Sequence, residues 1–164
     1  MKEYVYKTMK SPVGELKLVG SKDGLAAILW EKEKPRRVVL NIVKEDKKLP
    51  ILVKTETQLK EYFAGKRKKF ALKLDWNGTD FQKKVWKALL DIPFGKTVSY
   101  ADIAKKVGSP KGVRAVGGAN GRNPISIIAA CHRVIGSSGK LTGYAGGMKN
   151  KSHLLNLEGS KYKS

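Results

Sequence analysis

The chain opens with short apolar stretches separated by turn residues. Residues 4–9 alternate weakly, 15–19 alternate clearly, and 25–30 are more continuously apolar. Ser11-Pro12-Val13-Gly14 and Ser21-Lys22-Asp23-Gly24 fall between them. Three short strands joined by Gly-containing turns predict an antiparallel meander. Residues 32–50 are charge-rich, with apolar content only at Val38, Val39, Leu40, Ile42 and Val43, and fit a strand or a short helix equally. Over 55–64, Leu59, Tyr62 and Phe63 share a helical face and Gly65 follows as a stop. Residues 70–74 alternate again and predict a strand.

The period changes after residues 75–79. Thr79 and Gln82 have capping-box spacing, and Phe81, Val85, Leu89 and Ile92 recur at helical intervals before Pro93-Phe94-Gly95. Ser99 and Asp102 predict a second helix, which Gly108 closes. Ser109-Pro110 predicts an immediate restart, giving a third helix over 112–120. Two short helices about a Gly-Ser-Pro turn read as a helix-turn-helix. The third helix contains Gly117-Gly118, which costs about 1 kcal/mol per glycine relative to alanine. A nearly bare surface there suits close approach by another backbone. A last helix is expected over 151–157, with Glu158 at its end. Strands followed by helices predict an α+β chain of two domains, residues 1–76 and 77–164.

Composition then sets the class. The 164 residues are 41% hydrophobic and 29% charged, which excludes a disordered chain. Lys and Arg number 34 against 14 Asp and Glu, a net charge of +20. Residues 1–74 and 75–164 each carry +10, so this is no basic tail on a neutral body. A polyanion is the expected partner, nucleic acid before membrane. No apolar run approaches the roughly 18 residues of a membrane span, and no signal peptide is evident, so a cytoplasmic location is expected. The Lys-dominated charge resembles thermophile composition. Lys66-Arg67-Lys68-Lys69 reads as a solvated turn. Gly95-Lys96-Thr97 is not a phosphate loop, because Leu90 stands where the earlier glycine is required.

The candidate chemistry centres on one cysteine. Cys131 ends an apolar run and is followed by His132 and Arg133. A free thiol is only about 3% thiolate at pH 7, and a neighbouring imidazole or positive charge raises that fraction. The imidazole needs an orienting carboxylate, and Glu158 stands where a helix C-terminus ordinarily disfavours one. A single cysteine permits no intrachain disulfide, and one Cys with two His makes a poor metal set, so no metal is expected.

Five ordered blocks carry a family resemblance. They are Val98-Ser99-Tyr100-Ala101, Arg114-Ala115-Val116-Gly117-Gly118-Ala119, Asn123-Pro124 with Ala130-Cys131-His132-Arg133-Val134, Gly143-Tyr144-Ala145-Gly146-Gly147, and Leu157-Glu158-Gly159. Over residues 81–159 the chain resembles the O6-alkylguanine-DNA alkyltransferases. The resemblance implies a ribonuclease H-like N-terminal antiparallel β-sheet domain. A mostly helical, winged-helix-like DNA-binding domain carrying the active site would follow it. It implies single-turnover repair, with no cofactor, in which Cys131 accepts an alkyl group from guanine O6. His132 would deprotonate Cys131 through a water, Glu158 would orient His132, and Tyr100 would donate to the departing base. Arg114 would fill the gap left by a flipped nucleotide. Ala115, Gly118 and Ala119 would permit minor-groove approach to double-stranded DNA, and Arg122 would meet a phosphate. Asn123, Val134, Tyr144, Ala145 and Gly146 would form the substrate pocket, and Arg133 would buttress it. A monomer is expected. Three departures from the family pattern stand out: Ala130 replaces proline, Ala145 replaces serine, and Gly121-Arg122 reverses the commoner order. Two other classes compete: a DNA-binding regulator or lesion-binding module that does not use its cysteine, and a multiple-turnover cysteine hydrolase.

Overall fold

Strands β1 (Tyr4–Met9), β2 (Leu16–Ser21) and β3 (Gly24–Leu29) form the expected antiparallel meander, with Met9 opposite Leu16 and Leu18 opposite Ile28. The computed structural model describes residues 1–163. The charge-rich stretch after the meander resolves as a strand. β4 (Ile42–Glu45) pairs with β1, in parallel, so the sheet is mixed, with strand order β3-β2-β1-β4.

Helix α1 (Pro50–Phe63) begins earlier than the apolar spacing predicts. Pro50 suits the first turn, where its missing N–H has no partner to lose. Its buried face is Leu52, Thr55, Gln58, Leu59 and Tyr62, and the two polar members hide the stripe from an apolar pattern. Thr55 donates its hydroxyl to the Ile51 carbonyl at 2.7 Å, and so needs no water.

The strand expected at 70–74 does not form. The Gln58 side chain clasps the backbone of Ala71, donating to its carbonyl at 3.1 Å and accepting its N–H at 2.9 Å. Those backbone groups are thereby lost to a ladder. Only a single bridge remains, Leu74 beside Leu25. Gly24 permits that approach: a Cβ there would stand 2.8 Å from the Lys73 carbonyl oxygen.

The chain divides into two units, Met1–Asn77 and Gly78–Ser164. In the second, α2 (Asp80–Leu90) and α3 (Tyr100–Lys106) start with complete capping boxes at Thr79/Gln82 and Ser99/Asp102. Helix α4 (Val113–Gly121) starts at Val113 and not directly after Ser109. Pro110 instead occupies a turn closed by Gly112 N–H on the Ser109 carbonyl at 2.8 Å. Proline is favoured at the second position of such a turn. Strand β5 (Val98–Ser99) pairs in parallel with β6 (Val134–Ile135), so a parallel pair and not a hairpin accompanies the helices. Helix α5 (Met148–Leu157) starts three residues before its expected position. Among the described residues no helix is long and apolar enough to cross a membrane.

The second unit is tied together by Trp86. Its ring is buried on α2, and its indole N–H donates to the Ala119 carbonyl on α4 at 2.8 Å. Trp86→Phe keeps an aromatic ring but removes the donor that this buried carbonyl uses. A loss of about 1–3 kcal/mol in urea unfolding is expected.

Candidate active site

The segment that delivers Cys131 is buried and irregular. Residues 123–135 are all buried, yet only Cys131–Arg133, as one 3-10 turn, and β6 are regular. Backbone groups in such a stretch need other partners. Asn123 supplies two of them: its amide donates to the Ala129 carbonyl at 2.8 Å and accepts the Ile125 N–H at 3.0 Å. Ile127 adopts φ 74°, a left-handed conformation that a β-branched residue holds only under constraint, at about 1–3 kcal/mol. Ala130 sits at φ −80°, within the range that proline imposes, so packing holds here the backbone that proline would set.

The parallel pair registers two parts of the site. Val98 lies opposite Val134 and Ser99 opposite Ile135. The Cys131–Arg133 turn runs directly into β6, and Tyr100 follows directly after β5. Their juxtaposition is therefore set by a backbone ladder.

Around the turn stands a closed polar network. His132 is fully buried, and its Nε2 lies 2.8 Å from Glu158 Oε2. Arg133 donates to the same carboxylate twice, Nε to Oε1 at 2.8 Å and Nη2 to Oε2 at 2.9 Å. Its Nη1 reaches the Ile92 carbonyl at 2.5 Å, and Gly95 N–H donates to Glu158 Oε1 at 3.4 Å. Burial alone would push the Glu158 carboxyl up, but the bonds from His132 and Arg133 hold it well below the usual carboxylate range. Burial pulls His132 below 6.5, against the opposing pull of Glu158, so the imidazole is neutral at pH 7. A carboxylate only accepts, so the His132 proton sits on Nε2. Nδ1 is then an unprotonated acceptor, buried and without a partner among the described protein groups.

The thiol has its own surroundings. Cys131 is buried, with Sγ 3.8 Å from the Tyr144 hydroxyl. The ammonium of Lys151, on α5, donates to the Val134 carbonyl at 2.8 Å and the Thr142 carbonyl at 3.4 Å. It lies 5.8 Å from the centre of the Tyr144 ring. Burial pulls Lys151 down to about 8, while the charge of Cys131 acts the other way. Tyr100, at the start of α3, meets the Thr142 hydroxyl at 2.6 Å. Lys151 and Thr142 were not among the residues expected from sequence. Neither residue type at those positions signals burial or partnership.

The remaining expected residues divide by face. Arg114, Ala115, Gly118 and Arg122 are exposed on or just beyond α4, next to the exposed Val113. Ala119 is a correction: it is buried, on the face that receives Trp86, because its carbonyl and methyl serve internal packing. Asn123 is also fully buried, with its side-chain amide spent on the Ala129 and Ile125 backbone. Val134 is likewise buried, with its carbonyl turned to Lys151, while Tyr144, Ala145 and Gly146 are half-buried in the loop before α5. Among the described residues no cluster of His, Cys, Asp and Glu could hold a metal ion.

A buried thiol beside a tautomer-locked imidazole, on a basic unit with a bare helix face, defines a protein that uses cysteine as a nucleophile. The chain belongs to the 6-O-methylguanine DNA methyltransferase family: residues 4–76 match its ribonuclease-like domain and residues 80–160 its DNA-binding domain. It is 48% identical over 155 residues to the methylated-DNA–protein-cysteine methyltransferase of Methanosarcina acetivorans, covering 94% of this chain and 98% of that one. It is also 48% identical over 162 residues to the constitutive enzyme of that name from Bacillus subtilis, covering 96% and 97%. Its fold is similar to that of Mycobacterium tuberculosis OGT in complex with DNA. The TM-score is 0.83 at 46% identity, covering 96% of this chain and 93% of that one.

The network makes a stability prediction. Glu158 has a depressed carboxyl, so its contribution is complete above its ordinary value of 4.5 and is lost as pH falls toward the folded value. Glu158→Gln leaves Arg133 uncompensated and should cost about 3–5 kcal/mol at pH 7. The gap between variant and parent should narrow in urea titrations run progressively below pH 4.5.

Proposed function

We propose that the chain repairs double-stranded DNA directly, taking an alkyl group from O6 of guanine onto Cys131 in one irreversible turnover. The observation that carries this reading is the imidazole that follows Cys131 in the chain, whose Nε2 is committed to Glu158 and whose Nδ1 has no protein partner. The thiol proton passes to His132 Nδ1 through an intervening water. The thiolate attacks the alkyl carbon, an S–C bond forms, and the C–O bond to guanine breaks. Tyr100 donates to the departing base and disperses its charge. No second nucleophile then releases the alkyl group, which separates this centre from a hydrolase.

Helices α3 and α4 serve as a helix-turn-helix that docks in the minor groove. The glycines of α4 support this. A Cβ at Gly118 would meet nothing within 4 Å, and one at Gly117 only the Tyr100 ring at 3.9 Å. Internal packing therefore does not require either glycine, and an external backbone supplies the reason for a bare face. Arg114 enters the stack as the target nucleotide is flipped out, since the reacting atom is unreachable inside a duplex. Arg122 meets the adjoining backbone. The +20 charge supplies sequence-independent attraction. Tyr144, Ala145 and Gly146 surround the flipped base, with the Ala145 backbone in place of a serine hydroxyl and the buried Val134 behind them. The protein acts as a monomer in the reducing cytoplasm, and its Lys-rich surface fits a thermophilic host.

Intact-protein mass after incubation with a duplex carrying one O6-methylguanine tests the reading. One CH2 increment, stopping at one equivalent and absent from Cys131→Ser, is expected. DNA binding without any increment would make the chain a lesion binder. Because burial lowers His132 from the ordinary imidazole value, the transfer rate should still hold as pH passes through 6.5 and fall only at lower pH, as His132 takes up its proton. Gly118→Ala should raise stability by up to about 1 kcal/mol. In a titration of the same duplex it should weaken binding, whereas unchanged affinity would remove α4 from the interface.

A further inference from the structure

Thr142 has no role in the reaction as derived so far, yet it stands at the junction of the site. Its hydroxyl lies 2.6 Å from the Tyr100 hydroxyl, and its carbonyl accepts from the buried Lys151 ammonium. The loop that carries it is pinned independently. Gly136 N–H reaches the Lys140 carbonyl at 3.0 Å, and Leu141 N–H reaches the Lys163 carbonyl at 3.3 Å. Lys163 N–H returns to the Gly139 carbonyl at 2.7 Å. Thr142 is thus held by loop backbone on one side and by Lys151 on the other, with its hydroxyl aimed at Tyr100.

We infer that Thr142 is a positioning residue for Tyr100, acting as the upstream member of a hydroxyl relay; this rests on the alkyltransferase reading above. A phenol has one proton to give and lone pairs to receive with. When an extrahelical base offers an acceptor, the Tyr100 proton turns to it. The phenol oxygen then keeps a partner only because Thr142 donates to it in turn. A hydroxyl that receives a hydrogen bond becomes a stronger donor, so the chain Thr142 to Tyr100 to guanine polarises toward the charge that develops on the leaving base. The same contact fixes the ring at the start of α3, in a helix of only seven residues whose own packing leaves Tyr100 half-buried. Thr142 touches Tyr100 and not the reacting atoms, so its effect is transmitted entirely through that hydroxyl.

The test is single-turnover alkyl transfer at saturating O6-methylguanine duplex, with binding to the same duplex measured in parallel. Thr142→Val keeps the side-chain shape and removes the donor. It should slow transfer about three- to tenfold while leaving duplex affinity unchanged. Thr142→Ser restores the hydroxyl and should recover most of the rate. In a Tyr100→Phe background the relay has no second member, so adding Thr142→Val should cause no further loss. A full-rate Thr142→Val variant, or an equal slowing in the Phe background, would overturn the relay and leave self-alkylation of Cys131 standing. A parent protein that never gains the alkyl group would overturn both readings.

Discussion

One carboxylate organises the site. Glu158 is buried and receives His132, two nitrogens of Arg133 and the Gly95 N–H. A buried carboxyl with fewer donors would take up a proton and become a donor itself. Here the Arg133 guanidinium supplies the charge that keeps it ionised, and an ionised carboxylate can only accept. That single constraint sets which His132 nitrogen carries hydrogen, and therefore which one is basic. The pair is costly to bury and costlier to break. Its place in the structure is understood through what it imposes on His132, more than through any net gain in stability.

The rest of the unit brings that carboxylate to the turn. Helix α5 ends on Glu158, its C-cap, and carries Lys151 toward the Val134 and Thr142 carbonyls. The β5–β6 ladder aligns Tyr100 with the Cys131 turn. Between them, the buried run from Asn123 to Ala130 holds a conformation it would not choose alone, with Ile127 in the left-handed region and Asn123 clasping the turn. Such strain is maintained by surroundings that over-determine it. The acid sensitivity of His132 follows from its burial, and that of Glu158 from the His132 and Arg133 bonds that outweigh burial. Lys151 works in the opposite direction. It sheds its proton near 8 in the folded chain and near 10.5 when unfolded, so its cost at neutral pH is relieved as pH rises through that window.

What could be read along the chain was local. The Thr79/Gln82 and Ser99/Asp102 capping boxes lie within one turn of helix, and both are present. Glu158 was legible because a carboxylate is out of place at a helix C-terminus, and the Arg133 pairing is what keeps it there. The five motif blocks led to the family that the comparisons show. What could not be read depended on distant partners. Residues 70–74 alternate like a strand, but Gln58 takes the Ala71 backbone groups. Ala119 looks like part of a bare face until Trp86 is found against it. Lys151 reads as a surface lysine, and only the fold reveals an ammonium enclosed against the Val134 and Thr142 carbonyls. Thr142 reads as a loop residue, and its contact with Tyr100 spans two segments far apart in sequence.

The central claim is that Glu158 locks His132 as a neutral imidazole with hydrogen on Nε2 and a lone pair on Nδ1. Nitrogen-15 NMR of labelled protein, followed from pH 8 down to 5, measures this directly. The account predicts a protonated Nε2 and an unprotonated Nδ1 at neutral pH, with imidazolium signals emerging only below 6.5. Hydrogen on Nδ1, or an imidazolium already formed at pH 7, would contradict it.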